Sequence, residues 1–226
     1  RNDRVIWATS MVACGDADGA VTGNTRRFGA SLEKIEQVVN VRDGEIMFGL
    51  NMVVHKGKTI FVGDTSVHEY PTSEQMAEIA ISTARVVRLF GFEPKVAFVS
   101  HSTFGQPLTS RTKHIRKAVD ILKDKKVDFE FDGDMQPDVA LNAEYEELYP
   151  FSKIVGKANI LIMPGQHSAA ISYKMMKTLG GTKVIGPLLI GLGLPIEIAP
   201  LRSSTSELIN LASIAAYSAD IIDYKK

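Results

Sequence analysis

Helical and extended patterns alternate along almost the whole of this 226-residue chain, and this alternation limits the possible folds more than any other feature. Helical spacing of apolar residues runs from Met76 to Phe90 and from Ile115 to Leu122. Strand-like apolar runs lie around such segments, at 46–54, 59–62, 96–99, 129–131, 160–163 and 184–198. Strands that alternate with helices of this length form a largely parallel sheet.

The first two of these runs are separated only by His55-Lys56-Gly57-Lys58, a segment that is typical of a β-hairpin. A hairpin adds an antiparallel pair to an otherwise parallel sheet. We therefore predict an α/β fold of three layers, with a mixed, mostly parallel sheet.

Two helix starts carry a strong local signal. Thr72 and Gln75 have the spacing of a capping box, in which each residue binds the backbone of the other. Ser204 and Glu207 repeat this spacing before a last long helix. The apolar stripe predicted for that helix contains Leu208, Leu211, Ala212, Ala215 and Ile222.

The composition argues against several classes of protein. Lys+Arg and Asp+Glu both number 26, so the net charge is zero, and with no basic run we expect no nucleic-acid partner. The longest uncharged apolar stretch, Val184–Ile196, is broken by glycines and prolines, so we expect no membrane span. The five histidines are scattered without a cysteine partner, so we predict no metal site.

The single cysteine, Cys14, cannot form an internal disulfide, which fits a reducing compartment and a cytoplasmic location. It lies in an apolar segment that ends at Gly15, a residue typical of a helix end. No base stands beside it in the sequence, so we predict that Cys14 is an inert core residue.

In an open α/β sheet, ligands bind where strand ends lead into helices. Five segments have this position: 17–26, 100–105, 132–138, 164–168 and 201–206. In the last of them Arg202 stands among hydroxyl residues at a helix start, where a guanidinium and free backbone N–H groups suit a phosphate. Serine and threonine are also ordinary helix caps, so a structural role stays open at this point.

Several motifs, taken in order, resemble the phosphate acetyl/butyryl transferase family, the phosphotransacetylases. They are Gly15-Asp16-Ala17-Asp18-Gly19, Gly63-Asp64-Thr65, Ser100-His101-Ser102-Thr103, Asp132-Gly133-Asp134-Met135-Gln136, Ile185-Gly186-Pro187-Leu188 and Arg202. The resemblance implies two lobes of the isocitrate/isopropylmalate-dehydrogenase-like architecture, with coenzyme A in the cleft between them. It implies a first lobe at 1–40 plus 195–226, truncated at its N-terminus, and a second lobe at 41–194.

Other segments resemble one subgroup more closely, the C-terminal phosphotransacetylase-like domain of bacterial NADP-dependent malic enzymes. They are Gly23-Asn24-Thr25-Arg26, Asp64-Thr65-Ser66-Val67-His68-Glu69, Asp128-Phe129-Glu130-Phe131-Asp132-Gly133 and Ala158-Asn159-Ile160-Leu161-Ile162-Met163-Pro164. This resemblance implies a malic-enzyme domain in the parent chain, acetyl-CoA or a related acyl-CoA as allosteric inhibitor, and a homodimer or higher homo-oligomer.

The family resemblance also implies which residues bind acetyl-CoA, CoA and phosphate. They are Thr22, Arg26, Ser102, Thr103, Pro187, Leu188, Gly191, Arg202, Ser203 and Ser204. In an active transferase Arg202 would hold the acyl phosphate, and Glu207 or Asp138 would be the base that deprotonates the CoA thiol. No metal is implied.

The chain departs from the family pattern at the reaction centre. It has His167-Ser168-Ala169-Ala170 where active transferases carry a sequence of the Asn-Thr-Gly-Asn type. It has Leu201-Arg202-Ser203 where they carry Ser-Arg-Gly. These departures favour a regulatory acyl-CoA-binding domain over a working phosphate acyltransferase. A purely structural role in dimerisation is a third hypothesis.

Overall fold

The computed structural model describes residues 3–221. Its helices are α1 (Arg4–Cys14), α2 (Phe28–Ile35), α3 (Ser73–Leu89), α4 (Ser110–Lys125), α5 (Pro137–Leu141), α6 (Gln166–Leu179) and α7 (Thr205–Ile221), with a 3₁₀ helix at Ala143–Leu148. Its strands are β1 (Ala20–Gly23), β2 (Phe48–His55), β3 (Lys58–Gly63), β4 (Lys95–Val99), β5 (Glu130–Met135), β6 (Ile160–Ile162), β7 (Thr182–Ile190) and β8 (Ile196–Ala199).

A six-stranded sheet has the strand order β5-β4-β6-β3-β2-β7. Within it β4 pairs in parallel with β5 and β6, and β3 pairs in parallel with β6. β2 and β3 form the predicted hairpin through Lys56 and Gly57, whose φ angles of 47° and 78° suit the tight turn between twisted antiparallel strands. β1 and β8 form a two-stranded parallel sheet. The predicted α/β fold with a mixed, mostly parallel sheet is confirmed.

Capping boxes begin the two helices that pack against this sheet at β3, β4, β5 and β6. Before α3, Gln75 N–H donates to Thr72 Oγ1 (3.1 Å) and Thr72 N–H donates to Gln75 Oε1 (2.8 Å), as the spacing predicted. Thr109 and Thr112 make the same reciprocal pair before α4. The predicted apolar face of α4 is buried, with Ile115, Ala118, Val119 and Leu122 at most 2% exposed.

The chain divides into two compact units. Unit 1 comprises Arg1–Leu50 and Ile185–Lys226, and unit 2 comprises Asn51–Val184. The divisions fall inside β2 and β7, whereas the family resemblance placed them at 40/41 and 194/195.

Two predictions about burial were wrong. Cys14 is exposed, because the buried face of α1 follows Val5, Thr9 and Val12, and Cys14 lies off that face in the last turn. In α7 the buried residues are Leu211 and Ala215, while Ala212 of the predicted stripe is exposed. Ile222 lies outside the described residues.

Between residues 3 and 221, the structure contains no helix with the length and apolar character needed to cross a bilayer.

Candidate functional site

Two of the predicted loops lie side by side at the carboxyl ends of β1 and β8 in unit 1. The parallel register of these strands puts Gly23 opposite Ala199. Asn24 N–H donates to the Ala199 carbonyl (3.0 Å), and Arg202 N–H donates to the Asn24 carbonyl (2.9 Å). A β-carbon at Gly23 would overlap the Ala199 carbonyl oxygen, so only glycine allows the strands to approach in this way.

Arg202 occupies the turn between β8 and α7. Its φ of 60° lies in the left-handed region, which a residue other than glycine seldom adopts. The side chain is exposed, and within residues 3–221 its guanidinium makes no hydrogen bond or ion pair. The Asn24 carbonyl therefore fixes the backbone of Arg202, while the charged group stays open to an anion.

The serines after Arg202 are engaged with the backbone and with Glu207. Ser203 Oγ donates to the Pro200 carbonyl (2.9 Å). Ser204 N–H and Oγ both donate to Glu207 Oε2 (2.7 and 2.8 Å), and Glu207 N–H donates to Ser204 Oγ (3.3 Å). This capping box was predicted from the sequence and is confirmed. It also means that Glu207, one of the two expected bases, is held at the start of α7.

Thr22 and Arg26 lie on either side of the end of β1. Thr22 Oγ1 donates to the Glu197 carbonyl across the parallel pair (3.5 Å). Arg26 Nη1 donates to Asp3 Oδ2 (2.6 Å), and Asp3 also caps α1 by accepting from Val5 N–H (2.9 Å). The Arg26 hydrogen bond holds the pKa of Asp3 below its usual range. Arg26 is thus paired with the first helix.

The residues in and after β7 that were predicted to bind a ligand are largely buried. Pro187 and Leu188 are both buried, and Leu188 has no exposed surface, so neither residue is open to a ligand on the surface of unit 1. Gly191 has a φ of 90°, and its carbonyl accepts from Arg42 N–H (2.9 Å). A β-carbon there would overlap the Ile46 carbonyl, so close packing explains this glycine without a ligand.

In unit 2 the loop after β4 is built around a buried carboxylate. Asp134, which is fully buried, accepts a hydrogen bond from Ser102 Oγ and a second from Gly105 N–H (3.0 Å). The Asp134 carbonyl accepts from Phe104 N–H (2.6 Å). Ser100 Oγ lies 3.2 Å from Ser102 Oγ. The hydroxyl proton of Ser102, a predicted ligand donor, is therefore committed to Asp134.

Two more predicted residues follow along the same edge of unit 2. Thr103 Oγ1 accepts from Gln136 N–H (3.2 Å) and so ties the loop after β4 to the end of β5. Asp138, in the first turn of α5, is exposed and accepts from the Tyr145 hydroxyl (3.1 Å). This hydrogen bond raises the pKa of Tyr145. Asp138, the other expected base, thus also has a partner.

Asp64 was missed as a site residue, although it lies in a motif that the resemblance quoted. The side chain is buried and accepts from three backbone N–H groups, those of Ser66 (2.8 Å), Val67 (3.1 Å) and His68 (2.6 Å). It also contacts His68 Nδ1 at 2.8 Å, which orients the imidazole. The useful signal was an aspartate directly after a buried strand, a position where a side chain commonly closes the next turn.

Glu197 was also missed. It lies in β8, is 4% exposed, and its Oε2 accepts from Leu189 N–H (2.9 Å). Burial raises its pKa to about 8, and the Leu189 hydrogen bond opposes this only in part. The sequence pattern that could have identified Glu197 is a carboxyl group inside an otherwise apolar strand, because acidic residues are seldom buried without a partner.

Taken together, these features define an α/β domain with an open arginine and helix-capping hydroxyls at a strand edge. Among the side chains of residues 3–221, no group of three or more His, Cys, Asp and Glu is arranged to hold a metal ion.

The chain belongs to the family described as phosphate acetyl/butaryl transferase, whose model matches residues 1–216. Phosphate acetyltransferase from Bacillus subtilis is 31% identical over 96% of this chain and 68% of its own length. A phosphotransacetylase structure from Streptococcus pyogenes superimposes with a TM-score of 0.88 at 29% identity, over 95% of this chain and 67% of that one. The predicted family is confirmed.

The chain is also similar to the C-terminal part of malic enzymes, as the subgroup motifs predicted. The NADP-dependent malic enzyme of Rhizobium meliloti is 48% identical over 96% of this chain. The match spans only 28% of that enzyme's length.

Proposed function

We propose that this chain is the regulatory part of an NADP-dependent malic enzyme, and that it binds acetyl-CoA or a related acyl-CoA as an allosteric effector. The observation that carries the proposal is the unpaired guanidinium of Arg202 at the joined ends of β1 and β8. The similarity to malic enzymes at 48% identity supports the choice of parent protein.

The residues around Arg202 fit a cofactor that carries phosphates and amides. A guanidinium forms paired, charge-assisted hydrogen bonds with phosphate oxygens. The side-chain oxygen of Asn24, in the loop that binds the Arg202 backbone, is buried without a hydrogen-bond partner in residues 3–221. Leaving it unpaired costs about 1–3 kcal/mol, and a displacement of this loop that admits an N–H group of the pantetheine arm would recover that cost.

The alternative function is phosphate acyltransfer, in which acyl-CoA and phosphate give acyl phosphate and CoA. That reaction needs a base for the CoA thiol. Both expected bases are engaged, Glu207 by Ser204 and Asp138 by Tyr145. This arrangement favours binding over turnover, as do the departures from the family pattern at 167–170 and 201–203.

An allosteric effector must bind two states of the parent protein with different affinity. We propose that acyl-CoA bound at unit 1 stabilises the less active state of the malic-enzyme domain. Homodimers or higher homo-oligomers of the parent chain would carry this coupling between subunits.

The direct test is a calorimetric titration of the full-length protein with acetyl-CoA. We expect Arg202→Ala to weaken binding at least tenfold, because a guanidinium–phosphate pair is lost. Arg4→Ala, which removes an exposed arginine of the same unit, is the matched control and should leave the affinity unchanged. Absence of binding to the unaltered protein, or equal affinity in Arg202→Ala, would refute the proposal.

A second assay separates regulation from turnover. The full-length protein is incubated with acetyl-CoA and phosphate, and acetyl phosphate is measured beside malate oxidation. We expect no acetyl phosphate, together with a change in malate oxidation that Arg202→Ala abolishes. Acetyl phosphate formation that is lost in Arg202→Ala would establish the transferase instead.

A further inference from the structure

A pocket of about 280 Å³ lies wholly within unit 2, between the segment after β3 and the start of α4. Part of its lining is apolar and buried or half-buried, and the rest is polar and exposed. The apolar part is Pro71, Ile115 and Pro164, and the exposed part includes Tyr70, Ser110 and Arg111. None of these side chains has a role in the function proposed above.

Tyr70 presents an open aromatic surface at this pocket. Its ring stacks on His167, with centroids 6.1 Å apart and planes inclined by 18°. His167 Nε2 is itself 3.2 Å from Glu69 Oε1, which steadies the imidazole. Tyr70 is 66% exposed, so much of its surface is open to a ligand, and its hydroxyl has no hydrogen-bond partner among residues 3–221.

Arg111 lines the same pocket as Tyr70 and supplies a positive charge there. Its side chain is exposed and makes no hydrogen bond or ion pair within the described part of the chain. The acidic side chains of the neighbouring segments are already engaged, Glu69 by His167 and Glu74 by Lys117 at 2.7 Å. The charge of Arg111 is therefore not balanced locally by a carboxylate.

The wall of the pocket is held in place by His114. Its Nε2 is 2.9 Å from the Pro71 carbonyl, so it donates there, and its Nδ1 is 3.0 Å from Ser73 Oγ. Ser73 Oγ also lies 2.8 Å from the His114 carbonyl. These contacts join the start of α3 to α4, so the pocket is formed before any ligand enters, as is usual for small-molecule sites.

We propose that this pocket binds a small anion carried on a planar ring, with Arg111 holding the anionic group and Tyr70 stacking on the ring. Guanidinium groups bind carboxylates and phosphates through a planar fork, and aromatic rings stack on planar heterocycles. The volume of about 280 Å³ lies just below the usual range for ligand sites, which suits a small compound. The site does not depend on acyl-CoA binding at unit 1.

The test is a ligand-observed NMR titration of the full-length protein with adenosine monophosphate and, separately, with benzoate. We expect at least one probe to bind, with affinity reduced at least tenfold in Arg111→Ala and about fivefold in Tyr70→Ala. Tyr70→Phe keeps the ring and should bind within twofold of the unaltered protein. Lys113→Ala, which removes an exposed charge from the same turn of α4, is the matched control and should also bind within twofold.

The probe that binds identifies the anionic group as phosphate or carboxylate. Inorganic phosphate serves as a third probe, and we expect it to bind more weakly than either ring compound. Absence of binding by both ring compounds overturns the proposal, as does binding that Arg111→Ala and Tyr70→Ala leave unchanged while their thermal unfolding matches the unaltered protein. Equal binding of inorganic phosphate, insensitive to Tyr70→Ala, overturns the role of the ring.

Discussion

Buried carboxyl groups have different numbers of hydrogen-bond donors in the two units of this protein. In unit 2, Asp64 accepts from three backbone N–H groups and contacts His68, and Asp134 accepts from a hydroxyl and an amide. In unit 1, Glu197 accepts from one backbone N–H group within residues 3–221, that of Leu189. The first two organise loops at a strand edge, whereas the third lies within a strand and has its pKa raised to about 8 by burial.

The comparison shows that the effect of burial on a carboxyl group depends on how many hydrogen-bond donors surround it. A carboxylate that collects several N–H donors recovers much of the solvation that it loses on burial. A carboxyl with one donor cannot do so, and the free energy favours its neutral form. The unit 2 aspartates therefore hold loops in place through their hydrogen bonds, whereas burial raises the pKa of Glu197.

The largest expected effect comes from removing an anchor. Asp64→Ala leaves the N–H groups of the half-buried residues Ser66, Val67 and His68 without this acceptor and should destabilise the protein by about 3–5 kcal/mol. Urea unfolding measures this change. Asp120→Ala, an exposed aspartate on α4 of the same unit, is the control and should cost less than about 0.5 kcal/mol. Similar losses in the two variants would contradict the anchor role.

The next largest effect concerns Glu197 and pH. Its pKa is higher in the folded state, at about 8, than the ordinary value of 4.5, so folding takes up a proton between these values. Stability should therefore fall as pH rises from about 4.5 to 8, with a loss of about 3 kcal/mol accumulated by pH 7. In Glu197→Gln this component of the pH dependence should disappear, and the variant should be the more stable protein at neutral pH.

Urea unfolding at several pH values between 5 and 8 checks this expectation. Glu33→Gln, on an exposed position of α2 in the same unit, should keep the pH profile of the unaltered protein. If Glu197→Gln also kept that profile, the raised pKa of Glu197 would be contradicted.

The smallest effect is expected at an exposed acid. Asp138 raises the pKa of Tyr145 because its carboxylate accepts a hydrogen bond from the Tyr145 hydroxyl group. Asp138→Asn should return that pKa towards the ordinary value of tyrosine, with little change in stability because both groups are exposed to solvent. The ultraviolet absorbance of tyrosinate during an alkaline titration reports the shift. Glu147→Gln removes the same charge from the 3₁₀ helix and should have a smaller effect.

Much of the fold was predictable because its signals are local. The capping boxes at Thr72 and Ser204 depend on spacing within one turn, and the hairpin depends on a short polar segment between two apolar runs. The wrong predictions concern which face of a helix is buried, as at Cys14 and Ala212. That choice is made by tertiary packing, which a short apolar segment does not specify.

The site was predictable only in outline. The rule that ligands bind at strand ends selected the loops at 17–26 and 201–206, but it did not show that the backbone of Arg202 is held by the Asn24 carbonyl. Nor did it show that Arg26 is paired with Asp3, or that Ser102 donates to Asp134. These partners are distant in sequence, and Asp64 and Glu197 were missed because the number of donors around a carboxyl depends on the folded chain.

Because Arg202 has a left-handed backbone conformation, a substitution that raises the stability of the protein at this position would weaken ligand binding. Glycine would relieve about 1 kcal/mol of conformational strain there but would remove the guanidinium. A search for thermostable variants would therefore replace the arginine, whereas selection for effector binding would keep it. Engineering this domain for heat resistance should leave residue 202 unchanged wherever the response to a ligand matters.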